Sequence, residues 1–525
     1  MRQCANTALH CEDKGIDSLS KIYILLNPSM EHFGFWSLLP PVIAIILAIR
    51  TRQVYLSLLT GIFLGWVILS GGNPITGFFA TLQGLVAVFQ EPSNTRTILF
   101  SALVGALIAF VQRSGGVAGF VLRLDAWLQK KAANKASGSG IRKRVEGLAF
   151  LSGMLIFVES SISVLTVGAL FRPVFDRLKI SREKLAYLAD TSSAPSCILI
   201  PFNAWGAYIM GLLALQGFDR PFTTLVQAFP WNFYPILTVL LAVVLIVTGR
   251  DFGPMRKAEK RAKETGQVLS PDAKPLLSAE VTALEAKPGV PPRMRNMLLP
   301  IVLMVLLMPL MLAYTGWDAV EEPGVSLGRH ILMAIGQGSG SSAVLYSISI
   351  TLLFSMFLYR AQGILKTDEL IDLTLRGISD LMPLALLMLL AFAIGNVCNA
   401  LGTGLYAAEA VKGWLNPALV PAIVFVVSGF IAFSTGTSWG TFAIMISIAI
   451  PMAQNLNAPL ALTLAAALGG GVFGDHCSPI SDTSILASMA SASDHIDHVR
   501  TQLPYALTAA ALALVLYLVS GWLMV

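Results

Sequence analysis

The sequence predicts an all-α polytopic membrane protein, two inverted repeats with re-entrant hairpins and broken helices, about 11 to 13 spans in all. Three observations predict it. Apolar residues fill 55% of the 525 positions and charged residues 13%, with a mean hydropathy of +0.71, whereas a soluble domain carries roughly 25% charged residues. Apolar stretches near the roughly 20 residues that cross a bilayer recur from Phe35 to Val525. These stretches run in the same order twice, with polar breaks at corresponding places.

The elements follow in order. Residues 1–34 read as a polar tail without the apolar core and small-residue cleavage site of a signal peptide. Residues 35–52 hold an extra first span. Repeat 1 covers 53–248, with apolar runs at 54–70, 74–90 and 97–111. A shorter run at 117–129 carries Arg123 and Asp125 and suits a helix lying in the interface. Next come 147–158 and 162–171, each too short to cross alone, separated by Glu159-Ser160-Ser161. Residues 185–215 are apolar but interrupted by DTSSAPS at 190–196, and 233–247 closes the repeat. Residues 249–295 read as a cytoplasmic linker; ten bases and six acids stand within 248–295, and plain connection is the expected role. Repeat 2 covers 296–525. Its runs are 297–314, a weak one around 331–335, and 343–358. An amphipathic stretch at 366–377 precedes an additional apolar pair, 381–408, broken at 395–404. Residues 420–433 and 442–452 flank STGTSWGT, 460–490 is interrupted by GDHCSPISD, and 505–525 is the last span.

The repeat is visible in the residues. LSGMLIF at 151–157 matches VSGFIAF at 427–433, and each runs straight into a hydroxyl-rich break. An aspartate-led break containing a proline follows in each half, Asp190 to Pro195 and Asp475 to Pro479. Earlier, ILFS at 98–101 aligns with VLYS at 344–347. Corresponding broken segments in two halves point to a secondary transporter and to its binding site. Irregular backbone at membrane depth must line a polar cavity or pack within protein. Charge selects a topology. With 147–171 as a re-entrant hairpin, the basic stretches 113–144 and 172–184 and the linker share one side. The five crossings of the first half then invert the second.

Acids inside membrane segments are costly and usually functional. Glu159, Asp190, Asp475 and Asp482 all fall in the breaks. Ser160, Ser161, Ser192, Ser193, Thr435, Thr437, Ser438 and Ser478 supply neutral oxygens around them, and a sodium ion would draw on Glu159, Asp190, Thr437 and Asp475. The plainer role for each aspartate is a helix cap. His476 is a candidate proton-sensitive partner of an acid; adjacent His476 and Cys477 diverge and lack a second pair spaced for zinc. Asn396 and Asn399 could contact an organic solute, or simply bond helix to helix. His495 and His498, in DHIDH at 494–498, could sense pH, although a solvated loop is the plainer reading. The five cysteines are scattered and give no disulfide framework. GQGSGSS at 336–342 lacks the strand and Lys-Ser/Thr of a phosphate loop.

At LTVGALFRPVFDRLKISREKLAYLADTSSAP (165–195), STGTSWGTFAI (434–444) and GDHCSPISDTSIL (474–486) the chain resembles the NhaC family of sodium/proton antiporters, which includes malate/lactate exchangers. Together with the repeat order, the resemblance covers roughly 35–525. It implies two opposed hairpins and two unwound helices. Relatives in that family often carry an acidic pair where this chain has Val158-Glu159. The expected function is sodium/proton antiport by alternating access, with ion-coupled exchange or symport of a dicarboxylate, lactate or amino acid as the alternative. A passive channel needs no inverted repeat, and a membrane enzyme would need a nucleophile–base pair. No cofactor is expected beyond Na+ and H+ as moving ions. The expected partners are the bilayer of a bacterial inner membrane, small ions and at most a small organic solute, not nucleic acid; a homodimer stays open.

Overall fold

Polar caps turn the apolar runs into discrete helices. Asn73 accepts from the Ile75 and Thr76 N–H groups at 3.0 and 3.3 Å, Asn203 from Gly206 at 3.0 Å, and Asp494 from Asp497 at 3.0 Å. Each takes up N–H groups that a helix start leaves unpaired. The computed structural model describes residues 32–51, 53–120, 122–123, 126, 138–157, 160–201, 203–275, 287–320, 326–412 and 415–525. Among the described residues the chain is helical and has no strands.

The first half runs α1 (Leu39–Thr51), α2 (Val54–Leu69), α3 (Pro74–Ala87), α4 (Pro92–Arg113), α5 (Gly138–Leu155), α6 (Ser160–Arg177), α7 (Arg182–Thr191), α8 (Ala194–Cys197), α9 (Ala204–Leu215), α10 (Pro221–Ala228) and α11 (Phe233–Thr248). Helix α12 (Gly253–Thr265) follows in the linker. The second half runs α13 (Arg295–Gly316), α14 (Leu327–Gln337), α15 (Gly340–Ala361), α16 (Thr367–Ala400), α17 (Thr403–Val411), α18 (Val420–Thr435), α19 (Ser438–Leu456), α20 (Leu460–Cys477), α21 (Asp482–Ser491) and α22 (His495–Met524).

Nine helices among the described residues are long and apolar enough to cross a membrane, judged by length and composition. A tenth candidate is the pair Val54–Leu69 and Pro74–Gln90, bent by 120°. The expected 11 to 13 fell on segments that are shorter here, such as Gly34–Ala48 and Ala204–Leu215. The outer faces are apolar. On α13, Leu299, Val302, Leu306 and Leu310 point outward while Met304, Met308 and Leu312 are buried, the helical period with its polarity sense suited to lipid rather than water.

The stretch 381–408 breaks within 395–404 as expected: α16 runs unbroken from Thr367 through Ala400, and the chain turns at Gly402, left-handed at φ 66°. One reading changes. The linker does more than connect. Met255, Ala258 and Ala262 bury one face of α12. Glu259 accepts from Arg142 at 2.6 Å and from the Ser181 N–H and hydroxyl at 2.8 and 2.6 Å. Arg261 pairs with Glu183 at 2.8 Å. Burial pushes the Glu183 carboxyl up, and its own backbone N–H and Arg261 only partly pull it back. Buried Lys184 pairs with Asp251, which also accepts from the Tyr505 hydroxyl at 2.7 Å. Helix α12 is thereby fastened to the start of α7 and to α22. Of the stretch 117–129, residues 117–120, 122, 123 and 126 are described and are helical.

Four helices position the centre. Helices α5 and α6 pack on each other, with the Ser163 hydroxyl donating to Gly153 O at 2.8 Å, and α18 packs on α19. Helix α6 packs on α21, where a Cβ on Gly168 would stand 2.4 Å from that of Ala490. Helix α19 packs on α9, where the Tyr208 hydroxyl donates to Trp439 O at 2.9 Å.

Candidate functional site

Small residues deliver Asp475. A Cβ on Gly470 would meet Phe425 O at 2.4 Å and one on Gly474 would meet Gly429 O at 2.1 Å. Helix α20 can therefore lie backbone to backbone against α18, as small residues permit in packed membrane helices. At the end of α20, Asp475 faces the break that follows α18. That break turns at Gly436, φ 71°, where any Cβ would stand 2.5 Å from Ile480 O. The two breaks thus interlock, and Ser478 donates to Phe433 O at 2.7 Å across the same contact.

Asp475 is 2% exposed. Its Oδ2 accepts from the Ser438 hydroxyl at 2.7 Å, and its Oδ1 has no hydrogen-bond partner among the described residues. Ser481, Asp482 and Asp190 are the other polar side chains that bear on it. Asp190 closes α7 and is fully buried. Its Oδ2 accepts from the Ser484 hydroxyl at 2.7 Å and from Gln502 Nε2 at 2.8 Å, and its Oδ1 is unpartnered too. Gln502 Nε2 also donates to His476 O at 2.7 Å. The His476 ring is held between the Thr191 hydroxyl at 3.1 Å and the Tyr234 hydroxyl at 2.8 Å. One polar cluster therefore joins the aspartate-led breaks of both halves. Neither carboxylate forms an ion pair with a basic side chain among the described residues. Removing such a charge from water costs several kcal/mol after relaxation unless it is neutralised. A proton or a bound cation is what each can accept.

The remaining candidates fall in different places. Ser192 and Ser193 turn back on their own helix, donating to Ala189 O at 3.2 Å and Asp190 O at 2.7 Å. Ser160 opens α6 and is buried, and Ser161 is the next residue of that helix. Thr437 stands at the N-terminal edge of α19, 8% exposed, and Thr435 ends α18. Asp482 is exposed at the first position of α21, within electrostatic reach of both Asp475 and Tyr55. Asn399 is exposed and bonds Leu215 O at 3.0 Å and the Gln216 amide at 3.3 Å, and Asn396 is half-buried on the same helix. Neither bonds to the carboxylate cluster. Glu159 lies outside the described residues. His498, expected on a solvated loop, is buried within the first turn of α22. Thr191, Tyr234, Ser481, Ser484 and Gln502 were not singled out. A glutamine four residues after His498, at the polar edge of the last span, was the available signal.

Among the described residues no three of His, Cys, Asp or Glu are grouped to hold a metal ion. A cation at Asp475 or Asp190 would complete its shell with hydroxyl and carbonyl oxygens.

Spans with apolar outer faces around a buried, carboxylate-bearing centre define a multi-pass membrane transporter. Residues 197–522 match the model of the Na+/H+ antiporter family. An uncharacterized protein of Haemophilus influenzae is 32% identical over 516 residues, 96% of this chain and 94% of that one. The malate-2H(+)/Na(+)-lactate antiporter of Bacillus subtilis is 33% identical over 110 residues, 21% of this chain and 24% of that one. The crystal structure of the Alcanivorax borkumensis YdaH transporter shares the fold at a TM-score of 0.51 and 16% identity, covering 84% of this chain and 88% of that one. The chain belongs to the Na+/H+ antiporter family.

Proposed function

We propose that the protein exchanges sodium for protons across the bacterial inner membrane by alternating access. One observation carries the reading: Asp190 and Asp475, from opposite halves, are buried together, each with one unpartnered oxygen and no basic partner among the described residues. A carboxylate so placed is neutralised either by a proton or by a cation, and the exclusion of one by the other is the coupling that antiport requires. Sodium is a hard ion. Asp475 with the Ser438 hydroxyl beside it, Thr437 and the carbonyls of the break form its proposed site, with Asp190 close by; Glu159 stays a proposed ligand on its sequence alone.

Inverted repeats belong to this proposal: Gly153 and its counterpart Gly429 each lie against the segment that carries the aspartate of their own half, at Ser192 and at Phe473. The carbonyls of Phe157 and of its counterpart Phe433 each accept a side-chain hydrogen bond from beyond that aspartate, from Asn203 at 3.1 Å and from Ser478 at 2.7 Å. Coupled exchange of an organic acid is the second reading, favoured by the local match to the lactate antiporter. Purified protein in liposomes, given imposed sodium and pH gradients and a panel of organic acids and amino acids, separates the two. Sodium-dependent proton flux without any solute supports the first. Flux that appears only when one organic acid is present overturns it in favour of the second.

A further inference from the structure

Beyond the carboxylates, the cluster continues through α22 toward the surface. Gln502 is fixed in orientation by its neighbours. Its Nε2 lies between two acceptors, Asp190 Oδ2 at 2.8 Å and His476 O at 2.7 Å, so its Oε1 must face His498 Nε2 at 3.0 Å. An amide oxygen only accepts, so His498 Nε2 carries a hydrogen. His498 Nδ1 then lies 2.9 Å from the Ser488 hydroxyl oxygen. His495 repeats the pattern nearer the surface: its Nε2 faces Pro479 O at 2.7 Å, which fixes a hydrogen there, and its Nδ1 lies 3.0 Å from the same Ser488 oxygen. Two imidazoles thus aim Nδ1 at one hydroxyl that has a single hydrogen. Two bonds to Ser488 need two hydrogens. The second is an added proton, carried by one ring or the other. A further acceptor, Ser484 O at 2.8 Å, also competes for the serine hydrogen, so with both rings neutral the group is short of donors.

We propose that His498, Ser488 and His495 form a one-proton site that exchanges its proton with the surface and reports it to Asp190 through Gln502. This rests on the antiport reading and adds a second protonation site, coupled by charge to the carboxylate at which sodium and the proton compete. The transfer balances as one proton: His498 Nδ1–H passes to Ser488 Oγ as the Ser488 hydrogen passes to His495 Nδ1, which faces the exposed rim. The amide of Gln502 carries no proton. It transmits charge, because a protonated His498 strengthens the Gln502 hydrogen bond that holds the Asp190 carboxylate, and a cation beside Asp190 opposes the proton on His498. The charged and titratable groups facing His498 are Asp190 from α7, His476 from α20 and His495 from its own helix. Asp494, Asp497, Arg500 and Arg261 stand further out on the rim.

The test separates proton coupling from sodium movement. Exchange of radioactive for unlabelled sodium needs no proton, whereas sodium uptake driven by a pH gradient does. His498→Gln keeps an N–H toward Gln502 Oε1 and cannot accept a proton. In that variant sodium–sodium exchange persists, while gradient-driven uptake falls at least about tenfold and its pH dependence flattens over about pH 5 to 8. Ser488→Ala repeats the pattern: sodium–sodium exchange persists and gradient-driven uptake falls. Wild-type gradient-driven uptake in His498→Gln overturns the proposal, and so does equal loss of both fluxes in folded protein. If the wild type moves no sodium in either assay, the antiport reading fails on its own. Histidine nitrogen NMR then decides the proposal: one shared proton in the wild type, resolved into two independent titrations by Ser488→Ala, supports it, and independent titrations in the wild type overturn it.

Discussion

Replacing Ser438 by alanine removes the sole hydrogen-bond donor that reaches Asp475 with good geometry among the described residues. The hydroxyl is fully buried, 2.7 Å from Asp475 Oδ2 and 3.2 Å from Gly471 O. It has one hydrogen for these two acceptors. A charged carboxylate claims it, whereas a protonated one can release it to the carbonyl, so the bond is worth most in the form that binds sodium. A buried hydrogen bond to a charged group contributes about 1.5 to 3 kcal/mol. At 1.36 kcal/mol for a tenfold change, its loss lowers sodium affinity by about 10- to 100-fold. The sign is set by the proton: losing the donor disfavours the carboxylate, so a higher pH or more sodium is needed for the same occupancy. The pH profile of sodium-driven flux should move about one to two units toward alkali. The assay is flux in proteoliposomes against pH at several sodium concentrations, with Ser438→Ala beside the wild type. A folded variant whose profile and half-saturating sodium match the wild type would refute the assignment of Asp475 as the exchanging carboxylate.

Gly436→Ala forces a side chain into the left-handed region at a cost of about 1 to 2 kcal/mol, and its Cβ meets Ile480 O at 2.5 Å. The interlocked breaks should separate, seen as a lower Tm and loss of flux together. Asp494→Ala removes an N-cap worth about 1 kcal/mol and the bond that Asp494 makes to the Lys274 N–H at 2.9 Å. Partial burial pushes the Asp494 carboxyl up, but bonds from the Lys274, Asp497 and Ile496 N–H groups outweigh it and hold it below the usual carboxylate range. Its contribution is therefore full above about pH 4 and lost as pH falls through the lowered value; the Tm gap between variant and wild type should close in acid. A cysteine at Ser270 should resist an impermeant label added to intact cells, and one added after Val525 should react. The reverse pattern would place the linker outside.

Much of the centre was legible because charge inside an apolar run is costly wherever the run folds. Asp190 and Asp475 stood out on that ground alone, and the hydroxyl-rich breaks, with Ser438 among their neutral oxygens, marked where helices must stop. Their partners did not stand out. Ser484 lies 294 residues from Asp190, and Gln502 lies 312 away; neither belongs to a local pattern that a carboxylate dictates. Asn399, polar in an apolar run, bonds the end of α9, whereas Gln502, at the polar edge of its span, reaches the carboxylate, and only packing tells the two apart. Helix α12 was read as linker because its charges suggest solvent, yet Glu259 pairs with half-buried Arg142 of α5 and Arg261 with buried Glu183 of α7. The break after α16 was legible only to within 395–404, because three glycines stand there and only the fold puts the left-handed turn on Gly402.

The central claim is that sodium and protons compete at the buried carboxylates, and proton release on sodium binding tests it most directly. Calorimetric titration of sodium into purified protein, repeated in buffers of different ionisation enthalpy, counts the protons released per sodium bound. The account predicts release of between about one and two protons near neutral pH, with Asp475→Asn binding sodium at least about tenfold more weakly and releasing fewer. Sodium binding by the wild type without proton release, or undiminished release from Asp475→Asn, would contradict it.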